Sequence, residues 1–380
     1  MSRAYEHVKS LAEKIGPRGS CTAQERTTAE YIETELKKID YQTSRETFKA
    51  VTSFSWTFSV IYLLFIIAAF IFPAEPIWGF ILVLFAAVCF CLEANTFPLI
   101  SRLLPKKTSQ NIIATLPARS KTLRKVLILA HYDSSRSGLF FAPNMVKGFR
   151  RTYLFLVAAI SLQVLLFALG AFTTINPTLL WLLSLPSVLY LFGTLLLFIH
   201  RELYGKYTPG ANDNASGVAV LLEVAKALSR FPLLTTTVTF VATGAEESGT
   251  NGALDYLHRH RPGKETYVIN LDNLGCGHLT AVTKEGLLGG KAASPELLDF
   301  AKQTAEEKKI NLKFAPYHLL TTDGTVFLLR GYPTVSIMAF DEEGLLPNWH
   351  WPTDRAEFVE PANLNAAKEL VLGIVRKLEK

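Results

Sequence analysis

The chain has 380 residues, 49% of them hydrophobic, and carries 39 Lys and Arg against 33 Asp and Glu for a formal net charge of +6. That length holds one or two domains. No basic run is interleaved with aromatics, so no nucleic-acid partner is expected, and the positive charge reads instead as a collar meeting anionic lipid. Four cysteines, two of them (Cys89 and Cys91) inside an apolar stretch, make neither a disulfide framework nor a thiolate metal site.

In chain order, Ala4–Tyr41 predicts two amphipathic helices, with Val8, Leu11 and Ile15 on the first and Ala29, Ile32 and Leu36 on the second. The breaker Gly16-Pro17-Arg18-Gly19 parts them. Met1–Lys49 is polar and reads as folded chain rather than as a signal peptide. Two nearly charge-free segments follow, Ser55–Phe72 and Ile77–Leu92, joined by Phe72-Pro73-Ala74-Glu75-Pro76. Asn111–Leu116 and Lys125–Ala130 are strand-like. A second apolar pair, Tyr153–Phe172 and Leu179–Ile199, is joined by Thr173-Thr174-Ile175-Asn176-Pro177. Helix and strand then alternate: Gly217–Ser229 helix, Thr235–Ala242 strand, Gly252–Arg259 helix, Glu265–Leu271 strand, Pro295–Glu307 helix and Pro333–Phe340 strand. A last helix opens at Pro361.

The apolar segments approach the ~20 residues of a spanning helix and lack the polar stripe of a helix buried in a soluble core. Both connectors are free of Lys and Arg, whereas the other flanks hold Arg45, Lys49, Arg102, Lys106, Lys107, Lys147, Arg150, Arg151, Arg201 and Lys206. Basic residues are retained on the cytoplasmic side. The expectation is a multi-pass protein of the cell membrane whose hydrophilic portions all face the cytoplasm. The expected fold class is α/β, a mixed, largely parallel central sheet with helices on both faces. It would be one discontinuous domain of residues 1–54, 98–152 and 201–380, with transmembrane hairpins at 55–97 and 153–200.

Five clusters offer chemistry. His131 closes an apolar strand, and Asp133 two positions on projects to the same side, where its carboxylate could orient the imidazole. Asp213, among small residues ahead of an apolar helix, reads either as an N-cap or as a ligand. Glu246 and Glu247 share a turn with Gly244, Ala245 and Gly249, and two adjacent like charges there call for a cation or a shared proton. One glutamate would bind metal and the other take a proton from water. Asp272 ends a strand, and His350 lies in a loop flanked by Trp349 and Trp351. His258, His260, His278 and His318 belong to no motif, although His278 and His318 lie near candidate loops; His200 ends an apolar segment. Oxygen and imidazole ligands without thiolates suit Zn²⁺, and their number suits two ions.

In this order the motifs resemble those of the co-catalytic zinc exopeptidases that include the bacterial leucyl aminopeptidases and glutamate carboxypeptidase II. The resemblance runs from Ile15-Gly16-Pro17-Arg18 to Val359-Glu360-Pro361. It implies that Asp213 bridges two zinc ions, that His131 and Asp272 complete one site, and that Glu247 and His350 complete the other. It further implies Glu246 as general base, Asp133 as the carboxylate orienting His131, and Asp323, beside Thr322, in support. The tyrosine that some members use to stabilise the tetrahedral intermediate is replaced by Leu319, with Tyr317 nearby. The function implied is a membrane-anchored aminopeptidase acting on short peptides through a water held between the metals. The alternatives are a glutaminyl cyclase-like single-zinc enzyme or a non-catalytic membrane binding or transport protein.

Overall fold

Strands form where β-branched and aromatic residues gather. In the computed structural model, which describes residues 2–286 and 290–379, they are β1 (Thr43–Ala50), β2 (Lys107–Leu116), β3 (Arg124–His131), β4 (Thr236–Thr243), β5 (Tyr267–Leu271), β6 (His278–Glu285), β7 (Lys291–Ala292), β8 (Lys313–Tyr317) and β9 (Thr334–Phe340). The helices are α1 (Arg3–Lys9), α2 (Ala23–Lys37), α3 (Phe54–Ile71), α4 (Pro76–Glu93), the single turn α5 (Pro143–Val146), α6 (Phe149–Phe172) and α7 (Pro177–Tyr204). They continue with α8 (Gly217–Arg230), α9 (Asn251–His260), α10 (Pro295–Lys308), α11 (Asp323–Leu329) and α12 (Pro361–Leu378).

One sheet takes the order β1-β2-β4-β3-β5-β9-β6-β7, with β8 beside β6. Strands β4, β3, β5 and β9 are parallel at its centre. The β1–β2, β2–β4, β6–β9 and β6–β7 pairs are antiparallel, so the sheet is mixed, with its parallel character concentrated at the middle. Successive strand residues face opposite sides. On β3, Val126, Ile128 and Ala130 join the core under α1, α2, α8, α10 and α12. The alternating Leu127 and Leu129 join a second core with Ala253 and Tyr256 of α9 and Val326 and Phe327 of α11. Helices therefore cover both faces.

The chain divides into two compact units. The first comprises Met1–Thr52, Lys106–Ser137 and Lys206–Lys380, and the second Ser53–Pro105 and Gly138–Gly205. The second unit is a bundle in which α3 packs on α4, α4 on α6, α6 on α7 and α7 on α3. All four helices are long and apolar enough to cross a membrane, with mean hydropathy of 2.2 to 2.4, and only 22–50% of each apolar window is buried. Phe70 and Phe172 stand more than 70% exposed on the bundle's surface. Helices buried in a soluble core hide their apolar faces, which these leave in part exposed. Inside the bundle the Phe72 ring stacks on Phe167 with centroids 3.8 Å apart. A Cβ at Gly170 would stand 2.5 Å from the Phe72 ring, and one at Gly79 2.7 Å from its backbone, so only glycine fits at either place. Gln163 donates to the Phe65 carbonyl at 3.0 Å. The Glu93 carboxylate accepts the N–H groups of Leu99 and Ser101 at 2.7 and 2.8 Å.

Candidate metal centre

The parallel strands end along one edge, where open α/β sheets place their sites. Across it, β4 leads into Glu246 and Glu247, β3 ends on His131, β5 is followed by Asp272, and β9 leads into the loop of His350. Asp213 arrives from the turn before α8, and the peptide joining it to Asn214 is cis.

The two oxygens of Asp213 face two different groups. Oδ1 lies 3.2 Å from His131 Nε2, which is 3.5 Å from Asp272 Oδ1. Oδ2 lies 3.1 Å from His350 Nε2, which is 3.2 Å from Glu247 Oε2. His131, Asp213 and Glu247 offer ligand atoms within 4.8 Å of one another. Two atoms bound to one tetrahedral zinc stand about 3.3 Å apart, so both groups have the spacing of neighbouring zinc ligands. Glu247 Oε1 and Asp323 Oδ1 are buried without a hydrogen-bond partner among the described residues. Buried carboxylates left this way are costly unless a cation is supplied. The donor set and its spacing fit zinc.

Electrostatics follow from the crowding. Hydrogen bonds from His131 and His350 hold Asp213 below the usual carboxylate range, overcoming the upward push of burial. Both imidazoles rise in return: burial opposes the rise, but Glu246, Asp133, Asp213 and Asp272 lift His131, while Glu247 and Asp213 lift His350 to about 9. Burial pushes the Glu246 carboxyl well above its ordinary value; Asp323, Glu247 and Asp272 add to the push and His131 opposes it.

Asp133 meets more than the imidazole. Its carboxylate is 3.5 Å from His131 Nδ1, and its backbone carbonyl is closer, at 3.2 Å. The same carboxylate accepts the backbone N–H groups of Glu246 and Glu247, each at 3.1 Å, and the Ser20 hydroxyl at 2.6 Å. Beneath that turn, Glu25 accepts the Ala245 N–H at 2.9 Å and the Ser109 hydroxyl at 2.8 Å. Three successive N–H groups of the glutamate turn are thus held by two buried carboxylates.

Asn212 and Asn214 fasten the Asp213 turn to the end of β5. Asn214 Nδ2 donates to the Leu271 carbonyl at 2.8 Å, and Asn212 Oδ1 accepts the Gly275 N–H at 2.7 Å. Asp354 accepts the N–H groups of Asn212 and Asp213 at 2.6 and 3.0 Å. Thr322 caps α11, placing Asp323 at its first turn, where Thr243 donates to Asp323 Oδ2. His278 pairs with Glu342 at 2.6 Å, and His318 Nδ1 meets the Gly286 carbonyl at 3.0 Å, so both have partners of their own. Tyr317 is buried, its ring stacked on Phe340. Burial raises its phenol, and the charges of Asp272, Asp213 and Glu246 raise it further.

Sequence reasoning passed over Glu25, Ser20 and the buried role of Asp354. Only Asp354, in Trp351-Pro352-Thr353-Asp354 beside His350, lay close enough to a candidate ligand to be signalled by position.

Residues 194–375 match the model of Peptidase family M28. Aminopeptidase YwaD of Bacillus subtilis is 29% identical over 44% of this chain, a match spanning 38% of that protein's length. Among solved structures, the zinc aminopeptidase BSAP of Bacillus subtilis superposes with a TM-score of 0.59 at 18% identity, covering 99% of this chain and 94% of that one. The glutaminyl cyclase of Bacteroides thetaiotaomicron superposes at 0.56 and 15% identity, covering 98% and 96%. The likeness to the co-catalytic zinc exopeptidases thus rests on residues 194–375, which match Peptidase family M28, and on the shared fold.

Proposed function

We propose that the chain is a membrane-embedded aminopeptidase that uses two zinc ions to remove N-terminal residues from short peptides. The observation that carries this reading is the division of Asp213, one oxygen toward His131 and Asp272 and the other toward His350 and Glu247. His131, Asp213 and Asp272 would hold one ion, and Asp213, Glu247 and His350 the other. When bound, the ions supply Lewis-acid chemistry, acidifying water and polarising a peptide carbonyl.

Glu246 accepts the proton from the attacking water and returns it to the departing amine. Its backbone is anchored on Asp133 and burial raises its carboxyl, the direction that suits a carboxylate exchanging a proton with water and amine. Six carboxylates, Asp133, Asp213, Glu246, Glu247, Asp272 and Asp323, surround the site, and that field favours the cationic amino end of a peptide over its carboxylate. The Arg18 guanidinium is no carboxylate receptor, because it is spent on three backbone carbonyls.

The apolar bundle would span the bilayer, and Lys- and Arg-free connectors support a cytoplasmic catalytic unit. Protease added outside sealed cells should leave that unit intact; its digestion there overturns the orientation.

The deciding experiment is Glu246→Gln. Turnover of unblocked peptides should fall about 10³-fold while zinc content stays at two per chain. Retained turnover would sink the assignment. A glutaminyl cyclase would instead bind one zinc and form pyroglutamate from N-terminal glutamine.

A further inference from the structure

His131 and Asp213 reach each other from opposite ends of the insertion formed by residues 138–205. Something in the sheet unit must set their separation, since the chain between them runs out through another unit. Arg18 is fully buried beside both ends. Its Nε donates to the Tyr132 carbonyl at 2.6 Å, one residue after His131. Nη1 donates to Pro209 at 2.5 Å and Nη2 to Gly210 at 2.6 Å, three residues before Asp213.

The arms around it are stitched together. Ser134 Oγ accepts the Arg18 N–H at 3.0 Å and donates to the Thr208 carbonyl at 2.9 Å, while the Thr208 N–H reaches Ser135 at 2.8 Å. Arg136 and Tyr207 form an antiparallel bridge. The fit is close. Gly210 adopts φ +63°, and a Cβ there would meet Ser134 at 2.6 Å and Arg18 Nη2 at 3.1 Å; a Cβ on Gly19 would strike the Tyr207 ring at 2.0 Å. Only a planar fork of fixed donors reaches three carbonyls at once, and a lysine ammonium cannot copy it.

We propose that Arg18 is a positioning residue of the metal centre: a carbonyl clamp that closes the neck of the second insertion and sets the distance from His131 to Asp213. Its charge also lies among Asp354, Asp133, Asp213 and Glu247, offsetting their repulsion before any cation arrives. The proposal rests on Asp213 being the ligand shared by both zinc ions.

The test uses full-length protein in detergent, with zinc affinity read by competition against a chromophoric chelator and ligand geometry by the cobalt(II) absorption band. Arg18→Lys should fold and bind zinc about 10- to 100-fold more weakly, the usual effect of losing a residue that orients ligands. Its cobalt band should shift, a change that general destabilisation would not produce. Wild-type affinity and an unshifted band overturn the clamp. Should Arg18→Lys fail to fold, Ser134→Ala decides: it keeps the guanidinium but cuts the stitch to Thr208, and unchanged zinc affinity overturns the proposal. Asp213→Asn separates the underlying reading, since it should lose both ions; two ions held at wild-type affinity would refute the shared ligand whatever Arg18 does.

Discussion

At the scale of residues, the metal-free centre stores protons that zinc must displace. His350 stands near 9 and His131 is also raised, so each must lose a proton before it can ligate. Zinc affinity should therefore climb with pH, by about tenfold or more per unit between pH 6 and 8, measured by chelator competition. A flat profile would mean that the imidazoles are not ligands. Asp133 anchors the glutamate turn through two N–H groups, and an asparagine there can accept only one while turning a donor on the other. Asp133→Asn should lower kcat about 10- to 100-fold, with peptide KM little changed. Tyr317 keeps a protonated phenol that feels the charges of Asp272, Asp213 and Glu246, whereas Leu319 has nothing to donate. If that hydroxyl meets the oxyanion, Tyr317→Phe costs about 10²-fold in kcat; full activity assigns the contact elsewhere.

At the scale of elements, the long amphipathic and apolar segments were legible, and the short or polar ones were not. Helices α8, α9, α10 and α12 and strands β2, β3, β4, β5 and β9 arise from strong periodicity or β-branched runs, and they lie where the pattern places them to within a few residues. Strand β1 reads Thr-Ser-Arg-Glu-Thr-Phe-Lys-Ala and buries only Phe48 and Ala50, because it is a sheet edge and needs one half-covered face. Strands β6 and β8 owe their state to pairing with β9 and with each other, contacts no local pattern announces. Helix α11 has seven residues, too few for a period, and depends on its Thr322–Thr325 capping box. In the bundle, Gly79 and Gly170 carry the packing of Phe72. Gly170→Leu should destabilise the bundle by about 1–3 kcal/mol, read as a lower thermal midpoint of helical circular dichroism in detergent; an unchanged midpoint means that Phe72 has room to move.

At the scale of the whole molecule, stability and metal are linked through buried acids. Burial lifts Asp323 and Asp354 to about 7, and burial with the nearby Asp133 lifts Glu25 to about 8. Each ionises sooner in the unfolded chain than in the folded one, so its contribution is present in mild acid and lost as pH rises from about 4 to 8. The raised His350 acts in the same direction: its contribution is full below the unfolded value and lost as pH passes 9. Asp213 runs oppositely, but only in strong acid. Zinc-stripped protein should therefore melt at a lower temperature at pH 8.5 than at pH 6, and zinc should narrow or reverse that difference. A stripped protein more stable at high pH would contradict these shifts.

The amino-acid sequence alone determined the kinds of candidate ligand and their order, the α/β rhythm and the four long apolar helices, because side-chain chemistry and hydrophobic period are local properties. Only tertiary structure decided that Asp213 turns one oxygen to His131 and the other to His350, that Asp133 and Glu25 hold the glutamate turn, and that Arg18 and Asp354 fasten the Asp213 loop. Those are hydrogen-bond distances between residues tens to hundreds of positions apart. They exist only once parallel strands bring their ends to a common edge, since no local pattern records which distant carbonyl a buried guanidinium will meet.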